Sequence, residues 1–219
     1  MQVLFVMILE IWWSPEWVIK SLSFENSYEF WLQWQTSEKS LKYLIYRWFV
    51  AVFFVLSLAS SITSNLSQGF FSVYFIYITH LNLVATVVMS LLSACLASIY
   101  FYDKLETETG IPITLKLYWF LWNQCIVFAM VLDTFFWIKL YGGNGINLEQ
   151  TLVHITNCLV LVLDLFVVKH PSRFSLIIYT IVGQIIYVVF TLFYSLLGGV
   201  DRLKIWILNY WCCTIFLQF

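Results

Sequence analysis

The chain has 219 residues, of which 62% are apolar and only 11% are charged, with a net charge of −1. Soluble globular domains carry about 25% charged residues. The charges are therefore too few to cover a water-facing surface, which excludes an ordinary soluble domain. The near-neutral balance also excludes a disordered polyelectrolyte and makes nucleic acid an unexpected partner. We expect the bilayer to be the solvent and membrane lipids to be the surrounding partners.

Residues 1–45 form a polar region that holds five of the twelve acidic residues of the chain together with Trp17, Trp31 and Trp34. The apolar stretch at residues 1–9 has no basic segment before it and no small-residue cleavage site, so it does not fit a signal peptide. Tryptophans typically lie at the membrane surface. We predict a cytosolic or interfacial N-terminal region at 1–45 and a single transmembrane helical domain at 46–219.

No Asp, Glu, Lys or Arg occurs from Trp48 to Tyr102, a run long enough for two membrane spans. Ser, Asn and Gly residues between Ser61 and Gly69 predict the break between them. Further apolar segments cover about 116–141, 148–168 and 174–197, and a short sixth begins at Lys204. Long continuous apolar runs exclude barrel strands, so we predict an all-α polytopic transmembrane bundle of about six spans.

The distribution of Lys and Arg predicts the orientation. Six spans place more of these residues on the side of the N-terminus than on the opposite side, which puts both termini in the cytosol, in the plasma membrane or the endoplasmic reticulum. The first set comprises Lys20, Lys39, Lys42, Arg47, Lys104, Lys116, Lys169 and Arg173, and the second comprises Lys139, Arg202 and Lys204.

The five cysteines have neither metal-ligand nor disulfide-framework spacing, and most lie in apolar segments. We interpret them as packing residues and expect no metal and no cofactor.

Polar residues in three of the spans recur at helical spacing. Because successive residues of a helix are 100° apart, each set falls on one face, which we expect to point into the bundle. The sets are Thr79, Asn82, Thr86, Ser90 and Ser93 in the second span, His154, Asn157 and Asp164 in the fourth, and Gln184, Tyr187, Thr191 and Ser195 in the fifth.

Thr79 and His154 are the candidate catalytic pair. With the second span entering the membrane near Ser72 and the fourth capped by Asn147, each residue lies seven positions below the same surface. A hydroxyl and an imidazole at one depth on inward faces are the minimum for a nucleophile activated by a base. His80 points about 100° away from Thr79 and is a secondary candidate.

Three further residues are candidates for binding substrate or supporting the pair: Asn82, Asp133 and Asn157. Asp133 lies at a depth where it could orient the histidine, and the alternative is a buried, protonated carboxyl group with a structural role. For Asp164, close in sequence to Lys169 and Arg173, we expect a structural ion pair, and for Asn123 a hydrogen bond between helices.

Seven short stretches resemble a known family. They are residues 30–35 (FWLQWQ), 44–48 (LIYRW), 75–83 (FIYITHLNL), 115–119 (LKLYW), 154–157 (HITN) with Asp164, 170–173 (HPSR) and 198–201 (GGVD). The chain resembles the rolling stone family, which is related to the androgen-induced-protein family of multi-pass membrane threonine hydrolases. It departs from the expected pattern at Thr180, Ile207 and Tyr210.

The resemblance implies two functions. The androgen-induced relatives cleave fatty acid esters of hydroxy fatty acids with a threonine and a histidine, and the corresponding positions here are Thr79 and His154. Rolling stone proteins are also associated with cell fusion, which implies a non-catalytic role in cell adhesion or fusion. A transporter is less well supported because no paired charges or broken helices occur at mid-membrane. The substrate, the organelle and the oligomeric state stay open.

Overall fold

The computed structural model describes residues 40–102, 113–140, 151–168 and 177–199. Within these ranges the regular structure is helical, in agreement with the predicted all-α class. The N-terminal region, residues 141–150 and the predicted sixth span lie outside the described residues.

Within the described ranges the bundle has five α-helices. The first two are α1 (Leu41–Ser67) and α2 (Ile78–Tyr102), joined through a short 3₁₀ helix at Phe71–Ile76. The third, α3 (Ile113–Phe135), continues into a π-helical turn at Phe136–Leu140. A second π-helical turn, Thr151–Thr156, leads into α4 (Asn157–Val167), and α5 spans Ile177–Leu196.

Four of these helices are long and apolar enough to cross a membrane, and Thr151–Val167 is a shorter apolar helix. Large apolar side chains such as Phe49, Phe166 and Ile186 are exposed on the outside of the bundle. An outer surface of this kind is stable in lipid rather than in water. The chain is therefore a multi-pass membrane protein.

The first helix is bounded by identifiable caps. The Ser40 side chain accepts a hydrogen bond from the Tyr43 amide, as an N-cap residue does. At the other end Gly69 has a φ of 75°, and the Phe70 amide donates to the Asn65 carbonyl at 2.9 Å, which closes the helix in a Schellman turn.

The predicted break between Ser61 and Gly69 begins too early. The helix continues to Ser67, and its polar side chains are bonded to its own carbonyls: Ser57 donates to Phe53 and Asn65 donates to Ser61. These bonds satisfy the polar groups without ending the helix, so serine and asparagine here are a weaker stop signal than expected. The turn is set instead at Gly69.

Helices α1 and α2 form an antiparallel hairpin, α3 packs on α2, and α4 and α5 pack on α3. The largest fully buried side chains, Trp119, Trp122, Tyr74 and Phe54, fill the space between them. The predicted inward faces are largely confirmed, because Thr86, Ser90 and Asn157 are buried, whereas Thr79 is only half-buried.

Candidate active site

The predicted site residues lie at the ends of three helices. Thr79 is the second residue of α2, Asp133 lies in the last turn of α3, and His154 lies in the π-helical turn before α4. Because α2 runs antiparallel to α3, these ends meet at one end of the bundle. The residues before Thr79 form a 3₁₀ helix, so Thr79 belongs to the first turn of α2 rather than lying seven residues into a continuous helix. Its depth in the membrane stays a prediction.

His154 is hydrogen-bonded to Asp133. Its Nδ1 lies 2.9 Å from Oδ1 of the carboxyl group, and both side chains are buried. The Phe136 ring stacks on the imidazole with centroids 3.7 Å apart and an angle of 8° between the planes. The imidazole ring is thus positioned by Phe136 against its face and by Asp133 at Nδ1. When Nδ1 carries the proton, it donates to Asp133 and Nε2 becomes the acceptor.

Both residues of this pair adjoin π-helical turns. His154 lies within Thr151–Thr156, and Asp133 precedes the turn Phe136–Leu140 by three residues. The Thr156 hydroxyl donates to the Thr151 carbonyl five residues earlier, at the spacing that a π-helical turn brings together. Turns of this kind are rare and occur frequently at functional sites. Apolar periodicity carries no signal for them, so sequence reasoning missed both.

Two buried acceptors near His154 have no hydrogen-bond partner among the described residues: Oδ2 of Asp133 and Oδ1 of Asn157. The thiol of Cys158, a weak donor, also lies beside the Asp133 carboxyl group. A buried acceptor without a partner costs about 1–3 kcal/mol. Such atoms are expected where a ligand or water supplies the missing bond. We call His154, Asp133 and Asn157 the His154 cluster.

Thr79 contributes an available hydroxyl group. The residue is half-buried, and its hydroxyl makes no hydrogen bond to His154 or to another residue in the part of the chain that the structure describes. Helix α2 does contact the π-helical turn that carries His154. Catalytic hydrogen bonds are often long before substrate binds. The meeting of the Thr79 hydroxyl with the imidazole stays a prediction.

The other candidates occupy different surroundings. His80 is buried, its Nδ1 lies 2.9 Å from the Tyr74 carbonyl, and its ring stacks on that tyrosine at 4.0 Å. It therefore packs on the 3₁₀ helix that joins α1 and α2. Asn82 is buried on the wall of an apolar cavity between α2, α3 and α5. Asn123 donates to the Trp119 carbonyl of its own helix rather than to a neighbouring helix.

A second buried polar cluster, at the opposite end of the bundle, has an unexpected centre. Asp164 forms the predicted ion pair, but with Arg47 of α1 at 2.9 Å, and both are 2% exposed. Lys169 and Arg173 lie outside the described residues. Arg47 is in the second turn of α1, at the edge of an apolar run, where an arginine side chain commonly reaches the membrane surface. Its position in the sequence therefore did not predict that it is buried.

Aromatic side chains complete the coordination of this ion pair. Arg47 Nε donates to the Tyr43 hydroxyl at 2.9 Å and Nη2 donates to the Tyr118 hydroxyl at 3.2 Å. On the other side, Trp122 Nε1 and the Tyr46 hydroxyl each donate to Asp164 at 2.8 Å. The Arg47 cluster comprises Arg47, Asp164, Tyr43, Tyr46, Tyr118 and Trp122. It joins α1, α3 and α4.

No group of three His, Cys, Asp or Glu side chains within residues 40–102, 113–140, 151–168 and 177–199 is placed to hold a metal ion. The polar groups of the His154 cluster are a base, a carboxyl group and an amide. Together with a hydroxyl they are suited to proton transfer and acyl transfer.

Comparison with known proteins identifies the family. A family model described as Protein rolling stone matches residues 21–213, so the chain belongs to the rolling stone family. Protein rolling stone of Drosophila melanogaster is 28% identical over 187 residues, which cover 78% of this chain and 66% of the relative. The chain thus spans slightly less than two thirds of that relative. No solved structure matches.

Proposed function

We propose that this member of the rolling stone family is an intramembrane hydrolase of lipid esters, such as fatty acid esters of hydroxy fatty acids. Thr79 is the nucleophile and His154 is the general base. The observation that carries the proposal is the buried hydrogen bond between His154 Nδ1 and Asp133. A base oriented by a carboxyl group is the arrangement that activates a hydroxyl nucleophile in acyl transfer.

The reaction has two steps. The Thr79 oxygen attacks the ester carbonyl carbon while Nε2 of His154 takes the hydroxyl proton, and the same nitrogen then returns a proton to the departing alcohol. Water next attacks the acyl-threonine carbonyl carbon while Nε2 of His154 takes its proton, and the imidazolium then returns that proton to the departing Thr79 oxygen, which releases the fatty acid and restores the hydroxyl. Asp133 keeps the imidazole in the correct tautomer and stabilises the imidazolium.

The surroundings favour this chemistry. His154 and Asp133 are buried in an apolar bundle, where electrostatic stabilisation of charge is stronger than in water. The side-chain amide of Asn157, a member of the His154 cluster, is the candidate for hydrogen-bonding the developing oxyanion. Asn82 lies on the wall of the neighbouring apolar cavity. A lipid ester can enter sideways from the membrane, with its chains remaining in an apolar environment throughout.

Hydrolysis by the purified full-length chain in lipid nanodiscs tests the proposal. The substrate is a fatty acid ester of a hydroxy fatty acid, and the product acid is measured by mass spectrometry. We expect Thr79→Ala and His154→Gln to reduce the rate by at least about 100-fold. Thr79→Ser should retain more activity than Thr79→Ala because it keeps a hydroxyl. A fluorophosphonate probe should label Thr79 in the parent.

Matched variants guard against general damage. Thr63 is exposed on α1, and its hydroxyl donates only to backbone carbonyls of the same helix. Thr63→Ala should therefore leave the rate unchanged. His80→Gln tests the other buried histidine. A loss with His80→Gln and not with His154→Gln would contradict the assignment of the base. If every variant hydrolyses as fast as the parent, the protein is not this enzyme, and the non-catalytic role in adhesion or fusion becomes the working hypothesis.

A further inference from the structure

An apolar cavity of about 490 Å³ lies between α2, α3 and α5. Its volume falls within the roughly 300–1,000 Å³ that small-molecule sites occupy. Most of its wall is aliphatic or aromatic, with contributions from Ile78, Ala85, Leu121, Phe128 and Ile186. Thr79 and His154 are not part of this wall, so the cavity is distinct from the candidate active site.

Glycine keeps this space open. A Cβ atom at Gly183 would lie 3.4 Å from the Phe128 ring, so even the smallest side chain would contact the opposite wall. A larger residue would project from α5 into the cavity. The position therefore offers a way to close the cavity from one side without altering its polar groups.

The amide and hydroxyl side chains on the cavity wall are those of Gln124, Tyr187 and Asn82, and they differ in their hydrogen bonding. The Thr180 hydroxyl donates to Oε1 of Gln124 at 2.6 Å, and the Tyr187 hydroxyl donates to the Ile76 carbonyl at 3.0 Å. Asn82 is 7% exposed, and its amide makes no hydrogen bond to another described residue. The small exposed part of this residue borders the cavity, where lipid rather than water is the surrounding medium, so a ligand with a hydrogen-bonding group would supply the partner.

The cavity opens toward the lipid side of the bundle. Of the residues on its wall, Phe75, Leu81, Ile186 and Phe190 are exposed on the outer surface. In a membrane this surface faces acyl chains rather than water. The occupant that fits such a cavity is therefore apolar along most of its length and enters from the bilayer.

We propose that this cavity binds a fatty acyl chain whose carbonyl or carboxyl oxygen accepts a hydrogen bond from the Asn82 amide. The apolar wall takes the chain, and Asn82 fixes the one polar end. This inference does not rest on the proposed hydrolysis. It holds for a resident fatty acid in a non-catalytic protein as well as for a substrate.

Photolabelling of the full-length chain in nanodiscs tests this binding. The probe is a palmitic acid that carries a diazirine in its chain and an alkyne for detection, and labelled peptides are mapped by mass spectrometry. We expect the label on the cavity-facing residues of α2, α3 and α5, and we expect excess oleic acid to compete with it. Asn82→Leu should reduce labelling there about tenfold, because it removes the polar anchor.

Variants that fill the cavity test the binding without changing Asn82. Ala85→Leu and Gly183→Leu fill the cavity from opposite helices, and each should reduce labelling at least fivefold. Ala59→Leu makes the same change on the exposed surface of α1 and should leave labelling unchanged. Thermal unfolding in the same nanodiscs confirms that each variant is folded. Tenfold weaker labelling of a folded Asn82→Leu protein, together with an unaffected Ala59→Leu protein, supports the proposal.

Labelling spread evenly over the lipid-facing helices, or unchanged in folded Gly183→Leu, would overturn the proposal. The same holds if no competable label is found on the cavity-facing residues. The two proposals fail separately. Labelling without ester hydrolysis contradicts only the enzyme, whereas hydrolysis without saturable labelling contradicts only the acyl-chain site.

Discussion

The two buried polar clusters described above both draw residues from α3 and α4, but they differ in how completely their polar atoms are hydrogen-bonded. Helices α3 and α4 carry Trp122 and Asp164 in the Arg47 cluster, and they and the adjoining π-helical turn carry Asp133 and His154 in the other. Around Arg47, both charges are paired and every carboxylate oxygen is bonded. In the His154 cluster, two buried acceptors have no partner among the described residues.

The difference separates structure from candidate function. A closed network leaves no bond for a ligand to make, so its stabilising effect is the joining of three helices. An open network costs stability in the free protein, and this cost is expected where a substrate or water completes the bonding. His154 and Asp164 are ten residues apart, about 15 Å along a helix. The fully bonded cluster and the incompletely bonded one are therefore separate sites.

The strongest test of the closed cluster is to remove one charge. Arg47→Met leaves Asp164 buried without its counter-ion, and we expect the free energy of unfolding to fall by about 3–5 kcal/mol. The measurement is denaturation in mixed micelles of SDS and a mild detergent. Lys42→Met, an exposed lysine of the same helix, is the control and should change it by less than about 0.5 kcal/mol.

Removing both charges sharpens this test. A buried pair that is replaced by apolar residues is often tolerated. The double variant Arg47→Met with Asp164→Leu should therefore be less destabilised than the sum of the two single variants, by at least about 1 kcal/mol. Strictly additive losses would show that the pair does not act as a unit.

A smaller loss is expected from one hydrogen bond of the closed cluster. Trp122→Phe removes the indole N–H that donates to Asp164, and a bond to a charged group is worth about 1.5–3 kcal/mol. Trp48→Phe removes a bond to the Ser98 hydroxyl on the exposed surface and should cost less than about 1 kcal/mol. The same micellar denaturation compares them. Equal losses would contradict the special role of the buried carboxylate.

The smallest change in stability is expected in the open cluster. Asn157→Leu removes a buried acceptor that has no partner and keeps a similar volume, so the free energy of unfolding should stay the same or rise by up to about 1 kcal/mol. Ester hydrolysis should fall in the same variant. Asn65→Leu is the matched change at a bonded asparagine and should destabilise the fold. A comparable loss with Asn157→Leu would show that the cluster is structural.

The sequence predicted the helical class, the approximate segments and the inward faces, because bilayer thickness and helical periodicity act on neighbouring residues. It could not predict that Thr79 lies in the first turn of a helix, since the 3₁₀ helix before it is held to α1 by the hydrogen bond from the Tyr74 hydroxyl to Ser61. It also could not predict the two π-helical turns, for which apolar periodicity carries no signal.

What the sequence determined by itself is a membrane-spanning helical chain with a few polar groups directed inward, because an apolar environment requires each helix to satisfy its own backbone. Only the tertiary structure decided which of those groups meet. Asp164 pairs with a residue 117 positions earlier and His154 with one 21 positions earlier. Such pairings depend on the order and rotation of the packed helices, which local periodicity does not encode.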